Sequence, residues 1–351
     1  MHSRSLSLSR YLAGVALAGA CAVATPQADA AVLKVCKHGC TFSTIQGAVD
    51  DAASGDVIDV GPGTYFENVR IDRISLTLIG TGADLTTVDG QFRGSVFTLG
   101  LGTFGGNATP RVSLIGMTIT HGQAPSGGGI LVSAAVLDLE SSVVASNRAT
   151  EDGGGIEIDS PGISTSRIVN STIVHNRCRG SGGGIQIGPE ANLSLINSTI
   201  SRNSASSRGG GLHAHGASHT MIVGSNFTDN SAGDGGAIYR EGGLPSASLT
   251  ISKSAIAGNV ALSDGGGVFV AVGFHVLPLA IDHSTIARNV AGRDGGGFIG
   301  SASLDTVVVV QNTAKRLGGG ILGGVQVVKN SVIIAQNTPT DCVGDSGDPC
   351  P

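Results

Sequence analysis

A triplet of glycines returns about every 27 residues along most of the chain, and this repeat limits the fold more than any other feature. An asparagine precedes every triplet but the first by about six positions, and an apolar residue follows each triplet. Such a period is typical of proteins in which each repeat is one unit stacked on the next. The triplets begin at Gly127, Gly153, Gly182, Gly209, Gly265, Gly295 and Gly318, with Gly235-Gly236-Ala237 in the remaining place; the asparagines are Asn147, Asn176, Asn203, Asn230, Asn259, Asn289, Asn312 and Asn337, with His121 in the first repeat.

Apolar and polar residues alternate within each repeat, as they do in short β-strands, for example over residues 167–176. We predict two or three strands per repeat, in parallel register with the next repeat, so that equivalent residues stack about 4.8 Å apart. Ile173, Ile200 and Phe227 would then line a continuous interior, and the asparagines would form an amide ladder. Cys178, which stands in a column of alanines, would be buried. The predicted fold is all-β: a single-stranded parallel β-helix, or solenoid, of about ten coils.

Composition excludes several other classes of protein. Hydrophobic residues make up 40% of the 351 residues and charged residues 13%, which is too apolar for a disordered chain. The 56 glycines have no every-third-residue period, so the chain is not collagen-like. The net charge of −5 gives no overall electrostatic footprint for nucleic acid.

Residues 1–30 have the features of a secretory signal peptide. Arg4 and Arg10 precede the apolar segment 11–24, and Ala28-Asp29-Ala30 resembles a cleavage site. The apolar segment is too short to span a bilayer, and no later segment is long enough for a transmembrane helix. We therefore expect a secreted protein, extracellular or periplasmic, with lipoprotein anchoring through Cys21 as an alternative.

The two ends of a solenoid need protection from solvent. Ser43-Thr44-Ile45-Gln46 resembles a capping box and predicts a short amphipathic helix that ends near Gly55. The expected division is a cap over 31–56, a β-helix over 57–340 and a tail over 341–351. In an oxidising compartment, local disulfides are expected between Cys36 and Cys40 and between Cys342 and Cys350.

The segments 42–46 (FSTIQ) and 61–65 (GPGTY) resemble the opening of pectin-lyase-like right-handed β-helix proteins, which include pectinesterases. The repeats resemble those of secreted bacterial β-helix proteins, and 227–230 with 235–238 is similar to the FxxN and GGAI pair of chlamydial polymorphic outer-membrane proteins, which are adhesins. The resemblance implies a right-handed coil but no activity, because fold does not imply function. The catalytic motifs of pectinesterases, polygalacturonases and pectate lyases are absent from the sequence.

One group of acid/base side chains stands out among the positions expected to face outward, one and three residues after each post-glycine apolar residue. His213, His215 and Tyr239 are candidate catalytic residues because imidazole and phenol groups can transfer protons. The two histidines together with a carboxylate could instead hold a metal ion, and a merely solvated polar face is the simplest alternative. Candidate substrate-binding residues in the same group are Glu157, Asp159, Gln186 and Glu241.

Asp234, Asp264 and Asp294 directly precede three of the glycine motifs. Carboxylates stacked at coil spacing repel unless a cation or an arginine lies between them, so Ca²⁺ is a possible ligand of this column. Ordinary Asp-Gly turns, helped by Arg208 and Arg293, are the simpler explanation, and we favour them. No other cofactor is indicated.

Two functions fit the sequence. The first is a non-catalytic, adhesin-like module that binds extracellular polysaccharide or another cell-surface component as a monomer. The alternative is a polysaccharide lyase or glycoside hydrolase that acts on an extracellular acidic glycan through the patch from Gln186 to Glu241. The regular repeat without a recognised catalytic set favours the first.

Overall fold

The computed structural model describes residues 30–100, 109–159, 165–216, 218–242, 247–271 and 279–344, without the side chains of 326–329. Residues 1–29 of the expected signal peptide, including Cys21, and also Cys350 lie outside the described residues. The described chain winds into a right-handed parallel β-helix, in which every strand pairs in parallel with the equivalent strand of the next coil. The predicted fold class is confirmed.

Four parallel sheets run along the solenoid and are numbered here in the order in which each coil visits them. Sheet 1 contains Val32–Val35, Val57–Val60, Leu76–Gly80, Arg111–Ile115, Val136–Glu140, Thr165–Val169, Asn192–Ile196, His219–Val223, Ser248–Ser252, Leu279–Asp282, Ala302–Asp305 and Val325–Lys329. Sheet 2 contains Gly63–Phe66, Thr86–Asp89, Thr118–Thr120, Val143–Ala145, Thr172–Val174, Thr199–Ser201, Asn226–Thr228, Ala255–Ala257, Thr285–Ala287, Val308–Val310 and Ile333–Ala335.

The other two sheets lie on either side of the glycine turns. Sheet 3 contains the two-residue strands Gln123–Ala124, Arg148–Ala149, Arg177–Cys178, Ser204–Ala205, Ser231–Ala232, Val260–Ala261, Val290–Ala291 and Thr313–Ala314. Sheet 4 contains Val69–Ile71, Phe97–Leu99, Ile130–Val132, Ile156–Ile158, Ile185–Ile187, Leu212–Ala214, Ile238–Arg240, Val268–Val270, Phe298–Ile299, Ile321–Leu322 and Cys342–Val343. A complete repeat therefore has four strands. The prediction of two or three strands per repeat was too low, because it did not include the short strand after each asparagine.

The interior is filled by apolar side chains that stack on their equivalents in the next coil. Ile173, Ile200 and Phe227 are fully buried and pair in register in sheet 2, as predicted. Cys178 is buried in a separate small cluster with Ala149, Ala205 and Ala232, behind the strands of sheet 3. Burial raises the pKa of the Cys178 thiol to about 12, so this residue is a packing element and not a nucleophile.

The asparagines form the predicted ladder at the turn between sheets 2 and 3. The side-chain Oδ1 of Asn230 accepts hydrogen bonds from both the backbone N–H and the Nδ2 of Asn203, at 3.0 and 3.1 Å. Asn230 in turn donates from Nδ2 to Ile200 O and to Asn259 Oδ1. The ladder starts at Gly122, not at His121, because the Gly122 N–H donates to Asn147. A second ladder, which the sequence analysis did not foresee, links the hydroxyls and backbone N–H groups of Ser142, Ser171, Ser198, Ser225, Ser254 and Ser284.

The glycine triplets are required by the close approach of successive coils. Gly182 has φ of +69°, a conformation that side chains other than glycine rarely adopt. At Gly183, a Cβ atom would lie only 2.5 Å from the carbonyl oxygen of Gly210 in the next coil. One glycine thus permits the turn, and the next permits the stacking.

A short helix, Ile45–Asp51, packs at the N-terminal end, and Thr44 is its N-cap. Ser43 and Gln46 do not form the predicted reciprocal capping box. Instead, the Glu67 carboxylate accepts hydrogen bonds from the Ile45 and Gln46 N–H groups, both at 2.9 Å. The Cys36–Cys40 disulfide is present as predicted, and Cys342 is disulfide-bonded as well. Over the residues described, no helix has the length and apolar character needed to cross a bilayer.

Candidate functional site

The structure brings most of the predicted site residues together on the outer side of sheet 4. In register, Glu157 pairs with Gln186, Gln186 with His213, His213 with Tyr239, and Tyr239 with Phe269. These five residues form one continuous column, which we call the sheet 4 column. Asp159, His215 and Glu241 lie just beyond the ends of the same strands and form a second row beside it.

The sheet 4 column is much less accessible than the sequence suggested. Gln186, His213 and Tyr239 are only 6, 4 and 5% exposed. The first glycine of each triplet packs against the column: a Cβ on Gly182 would lie 2.8 Å from Gln186 Cβ, and one on Gly235 2.8 Å from Tyr239 Cβ. The side chains point away from the interior, but the preceding turn folds back over them. The expectation that these three side chains are exposed to solvent was therefore wrong.

His213 is hydrogen-bonded through one ring nitrogen, and its other ring nitrogen is buried without a hydrogen-bond partner but faces a carboxylate. Its Nδ1 donates to Gln186 Oε1 at 2.6 Å, and its Nε2 lies 3.5 Å from Glu241 Oε1. The ring also packs at a tilt against Tyr239, with centroids 5.4 Å apart. A buried imidazole with both nitrogens facing protein groups is poorly placed to exchange a proton with a substrate.

Glu241 is the centre of the charged contacts at the edge of the column. Its carboxylate lies 2.9 Å from Arg208 Nη1 and 3.1 Å from His215 Nε2, in addition to the contact with His213. The contact with His213, the nearby His215 and the Arg208 charge together lower the pKa of Glu241 to about 2. Glu241 is therefore ionised across the physiological range and fixes its three cationic or polar neighbours.

The ring of Tyr239 is covered by neighbouring side chains. Its ring stacks on Phe269 with centroids 4.9 Å apart and an interplanar angle of 7°, and the Arg208 guanidinium lies 5.0 Å from its centroid. Burial raises the pKa of the Tyr239 phenol, so it is not prepared to act as a base. These rings pack on each other rather than offering a flat face to a ligand.

Glu157, at the other end of the column, has the opposite electrostatic character to Glu241. Burial, and then the charges of Asp152, Asp159 and Glu151, raise its pKa to about 8. Its Oε2 is buried without a hydrogen-bond partner. Glu157 is thus protonated near neutral pH, but it lies two coils from His213, about 10 Å away at ordinary strand spacing.

The sequence analysis missed Arg240, which lies inside the coil. Its position pairs with Ala214 on one side and Val270 on the other, and its side chain is fully buried. It donates to Ser248 O at 2.9 Å and to Ser218 O at 3.2 Å, and burial lowers its pKa to about 10. Arg240 thereby ties together the segments that follow His215 and Glu241. The signal was present in the sequence, because an arginine interrupts a column of small and apolar residues.

Two members of the aspartate column are paired with arginines, and Arg208, which was expected to help this column, pairs with Glu241 instead. Asp264 is paired with Arg293, and Asp294 with Arg316 Nη2 at 2.7 Å. Asp234 Oδ1 accepts from the Asp264 N–H at 3.1 Å. Over the described residues, no group of three or more His, Cys, Asp and Glu side chains is arranged to hold a metal ion. Arrangement and charge therefore support the turn interpretation of Asp234, Asp264 and Asp294, and not a calcium site.

A shallow cavity of about 210 Å³ lies on a different face, the outer side of sheet 1. Ser113, Asp138, Glu140 and Arg167 line it, and Asp138 Oδ2 pairs with Arg111 Nη1 at 2.6 Å. The cavity is smaller than the ~300–1,000 Å³ of typical small-molecule sites. Its mixed charge and small size give no indication of a catalytic centre.

Two family models match parts of the sequence. The family model described as Right handed beta helix region matches residues 56–227, and the Chlamydia polymorphic membrane protein repeat matches residues 224–239. Two crystal structures of pectin methylesterase from Aspergillus niger, one deglycosylated and one penultimately deglycosylated, are each 14% identical and cover 90% of this chain and 86% of theirs. Their TM-scores are 0.40 and 0.38. No curated protein matches the sequence.

The family match, the repeat match and the observed topology agree over the central part of the chain. All sheets are parallel, and each coil contributes one strand to each sheet where the repeat is complete. The chain is a right-handed parallel β-helix repeat protein.

Proposed function

We propose that this protein is a non-catalytic β-helix module that binds polysaccharide outside the cell, in the manner of an adhesin. One observation carries the proposal: His213, the central candidate for acid/base chemistry, is buried with both ring nitrogens directed at protein groups. The repeat match to a Chlamydia polymorphic membrane protein supports an extracellular or surface location.

A rigid solenoid suits an extended polymer as ligand. Its outer faces repeat the same backbone geometry at about 4.8 Å per coil, so a chain of similar units can meet equivalent side chains on successive coils. Such a surface binds through many modest contacts and does not need a deep pocket. The small cavity on sheet 1 is consistent with this mode of binding.

The test compares binding with turnover for the full chain. Pectate, alginate and glycosaminoglycans, each with and without Ca²⁺, would be assayed by affinity electrophoresis and, in parallel, for new reducing or unsaturated ends. We expect retardation by at least one polysaccharide and no new ends above the blank. Turnover of any of them by the purified protein would overturn the proposal, and so would the absence of binding to all of them.

The alternative, a polysaccharide lyase or hydrolase, rests on the opposite protonation of Glu157 and Glu241 in one patch. The two residues are three coils apart, about 14 Å, which exceeds the ~5–9.5 Å between the paired carboxyls of glycoside hydrolases. This separation disfavours a direct acid/base pair. If turnover were found, Glu157→Gln and Tyr239→Ala should abolish it with the fold intact by circular dichroism; unchanged rates in both would place the chemistry elsewhere.

A further inference from the structure

Four arginines lie close together on the outer surface near sheet 3, away from the sheet 4 column. Arg148 and Arg177 pair in register on neighbouring coils. Arg179 is two residues further along the same coil as Arg177, and Arg202 is in the turn that leads to the next strand of sheet 3. All four side chains are exposed. We call this group the arginine stripe.

The arginine stripe has no acidic partners among the described residues. None of its members forms an ion pair there, whereas Arg70, Arg111, Arg208, Arg293 and Arg316 each pair with a carboxylate. Like charges held at coil spacing repel one another. Two carboxylates border the stripe: Asp229 has the turn position of Arg202 on the next coil, and the Glu151 carbonyl accepts from the Gly180 N–H beside Arg179. The uncompensated charge is therefore centred on Arg148 and Arg177, and this part of the surface is complementary to an anionic partner.

An exposed aromatic ring adjoins the stripe. Phe92 is 44% exposed, and its backbone φ of +59° is in the left-handed region that a bulky side chain rarely adopts. The Arg148 guanidinium lies 5.3 Å from the centre of its ring. Backbone strain of this kind concentrates at functional positions. The His121 ring also lies against Phe92 at a tilt, with centroids 5.0 Å apart, but 44% of Phe92 stays exposed. The uncovered part of the ring therefore offers apolar surface beside anion-binding donors.

We propose that Phe92 and the arginine stripe bind an acidic polysaccharide that lies along the solenoid axis. Phe92 contacts the apolar face of one sugar ring, and the arginines pair with carboxylate or sulfate groups on the following sugars. Arginine suits this role because its planar fork binds such oxyanions through two parallel hydrogen bonds. The coil spacing of about 4.8 Å is close to the length of one sugar in an extended chain. This inference rests on the proposed function and adds the location and the chemical class of the glycan.

The stripe has definite ends, which limit the ligand to a few sugars. In the column that contains Arg148 and Arg177, the preceding position is Gln123 and the following positions are Ser204 and Ser231. The serines also show that this column accepts a small polar residue without loss of pairing. Arginine-to-serine changes are therefore suitable for testing the site in the folded protein.

The experiment measures the affinity of the full chain for polygalacturonate and chondroitin sulfate oligosaccharides, with a neutral galactan and a single-stranded oligonucleotide for comparison. The double variant Arg148→Ser/Arg177→Ser should weaken binding to acidic oligosaccharides by at least about tenfold, because each lost bond is charge-assisted. Raised salt should weaken wild-type binding in the same direction. Phe92→Ala should weaken it independently of salt.

The matched control is Arg288→Ser. Arg288 is exposed, has no ion pair among the described residues and occupies the same turn position as Arg202, three coils away. We expect wild-type affinity from it. Wild-type affinity of the double variant for an acidic glycan would overturn the inference but leave the proposed function standing, and so would preference for the neutral glycan. Tighter binding of the oligonucleotide would overturn the inference in favour of nucleic acid. Failure to bind any glycan would refute the proposed function itself.

Discussion

The half-buried Glu157 and the fully buried Arg240 form no ion pair with the described residues. Burial shifts the pKa of each toward its neutral form: to about 8 for the Glu157 carboxyl and to about 10 for the Arg240 guanidinium. Arg240 remains charged and donates to two backbone carbonyls, whereas Glu157 becomes neutral near physiological pH. At the scale of single residues, Glu157 therefore makes the stability of the fold depend on pH.

The stability of the wild type should fall between about pH 4.5 and about pH 8 relative to Glu157→Gln. The pKa of Glu157 is raised in the folded state, so the folded protein holds this proton more tightly than the unfolded chain. The stabilisation is complete below the ordinary value of 4.5 and is lost as the pH rises to about 8. The slope should not exceed ~1.4 kcal/mol per pH unit. Urea unfolding of both proteins across this range measures it.

Glu190→Gln is the control for this prediction, because Glu190 is an exposed carboxylate in a neighbouring coil. Its unfolding free energy should follow that of the wild type at every pH. A constant difference between wild type and Glu157→Gln over the whole range would show that the Glu157 carboxyl is not protonated in the folded protein.

The asparagine ladder shows how one element joins the coils. Each asparagine amide accepts two hydrogen bonds from the preceding coil and donates to a backbone carbonyl of that coil, so both coils depend on the same side chain. At the C-terminal end, the Asp341 carboxylate replaces the next amide and accepts from the N–H and Nδ2 of Asn337 at 2.8 and 3.0 Å. The ladder is thus continuous from Gly122 to Asp341 and is closed at its last member.

Asn230→Ala should destabilise the protein by roughly 2–4 kcal/mol, because it leaves buried donors of Asn203 and the Ile200 carbonyl without partners. Chemical denaturation monitored by circular dichroism measures the change. Asn226→Ala is the matched control: Asn226 is exposed on sheet 2, four residues earlier, and its loss should change stability by less than about 0.5 kcal/mol. Equal effects of the two substitutions would mean that the ladder does not stabilise the fold.

The elements show which features the sequence could predict. Residues equivalent to Asn230, Gly183 and Ile200 recur in successive coils. Their spacing alone therefore predicted the ladder, the turn and the interior. The cover over His213 was not predictable in this way, because it depends on how the Gly209 turn folds back in three dimensions. Glu67 was missed as the partner of the helix N-terminus for a related reason: it lies 22 residues from Ile45, in another coil. Contacts that recur in successive coils can be predicted from the spacing of residues in the sequence, whereas a contact that occurs in only one coil cannot.

At the scale of the whole molecule, stability is expected to be nearly a sum over coils. Each coil touches only its neighbours, and each pair of coils is joined by the same set of ladders. The two ends differ from the middle: a helix covers one end, and Asp341 closes the ladder near the other. A solenoid built in this way should tolerate the loss of one complete inner coil, provided that the remaining residues stay in register.

Deletion of residues 204–230 should give a folded protein shorter by one coil, less stable than the wild type because Ser218, one of the two carbonyl acceptors of the buried Arg240, is lost. Asn203 and Asn230 are 27 residues apart and occupy equivalent places, so the deletion joins Asn203 to Ser231 and lets Asn203 bond to Asn259. A deletion of 204–229 leaves one extra residue in the tight turn before sheet 3, and should be less stable than the 204–230 deletion by roughly 2–4 kcal/mol because buried ladder groups lose their partners. Circular dichroism and urea unfolding compare the two. Equal stability of the two deletions would show that register does not control the fold. The 204–230 deletion removes His213 and His215 but keeps the arginine stripe. If it still binds an acidic polysaccharide, glycan recognition does not depend on these two histidines.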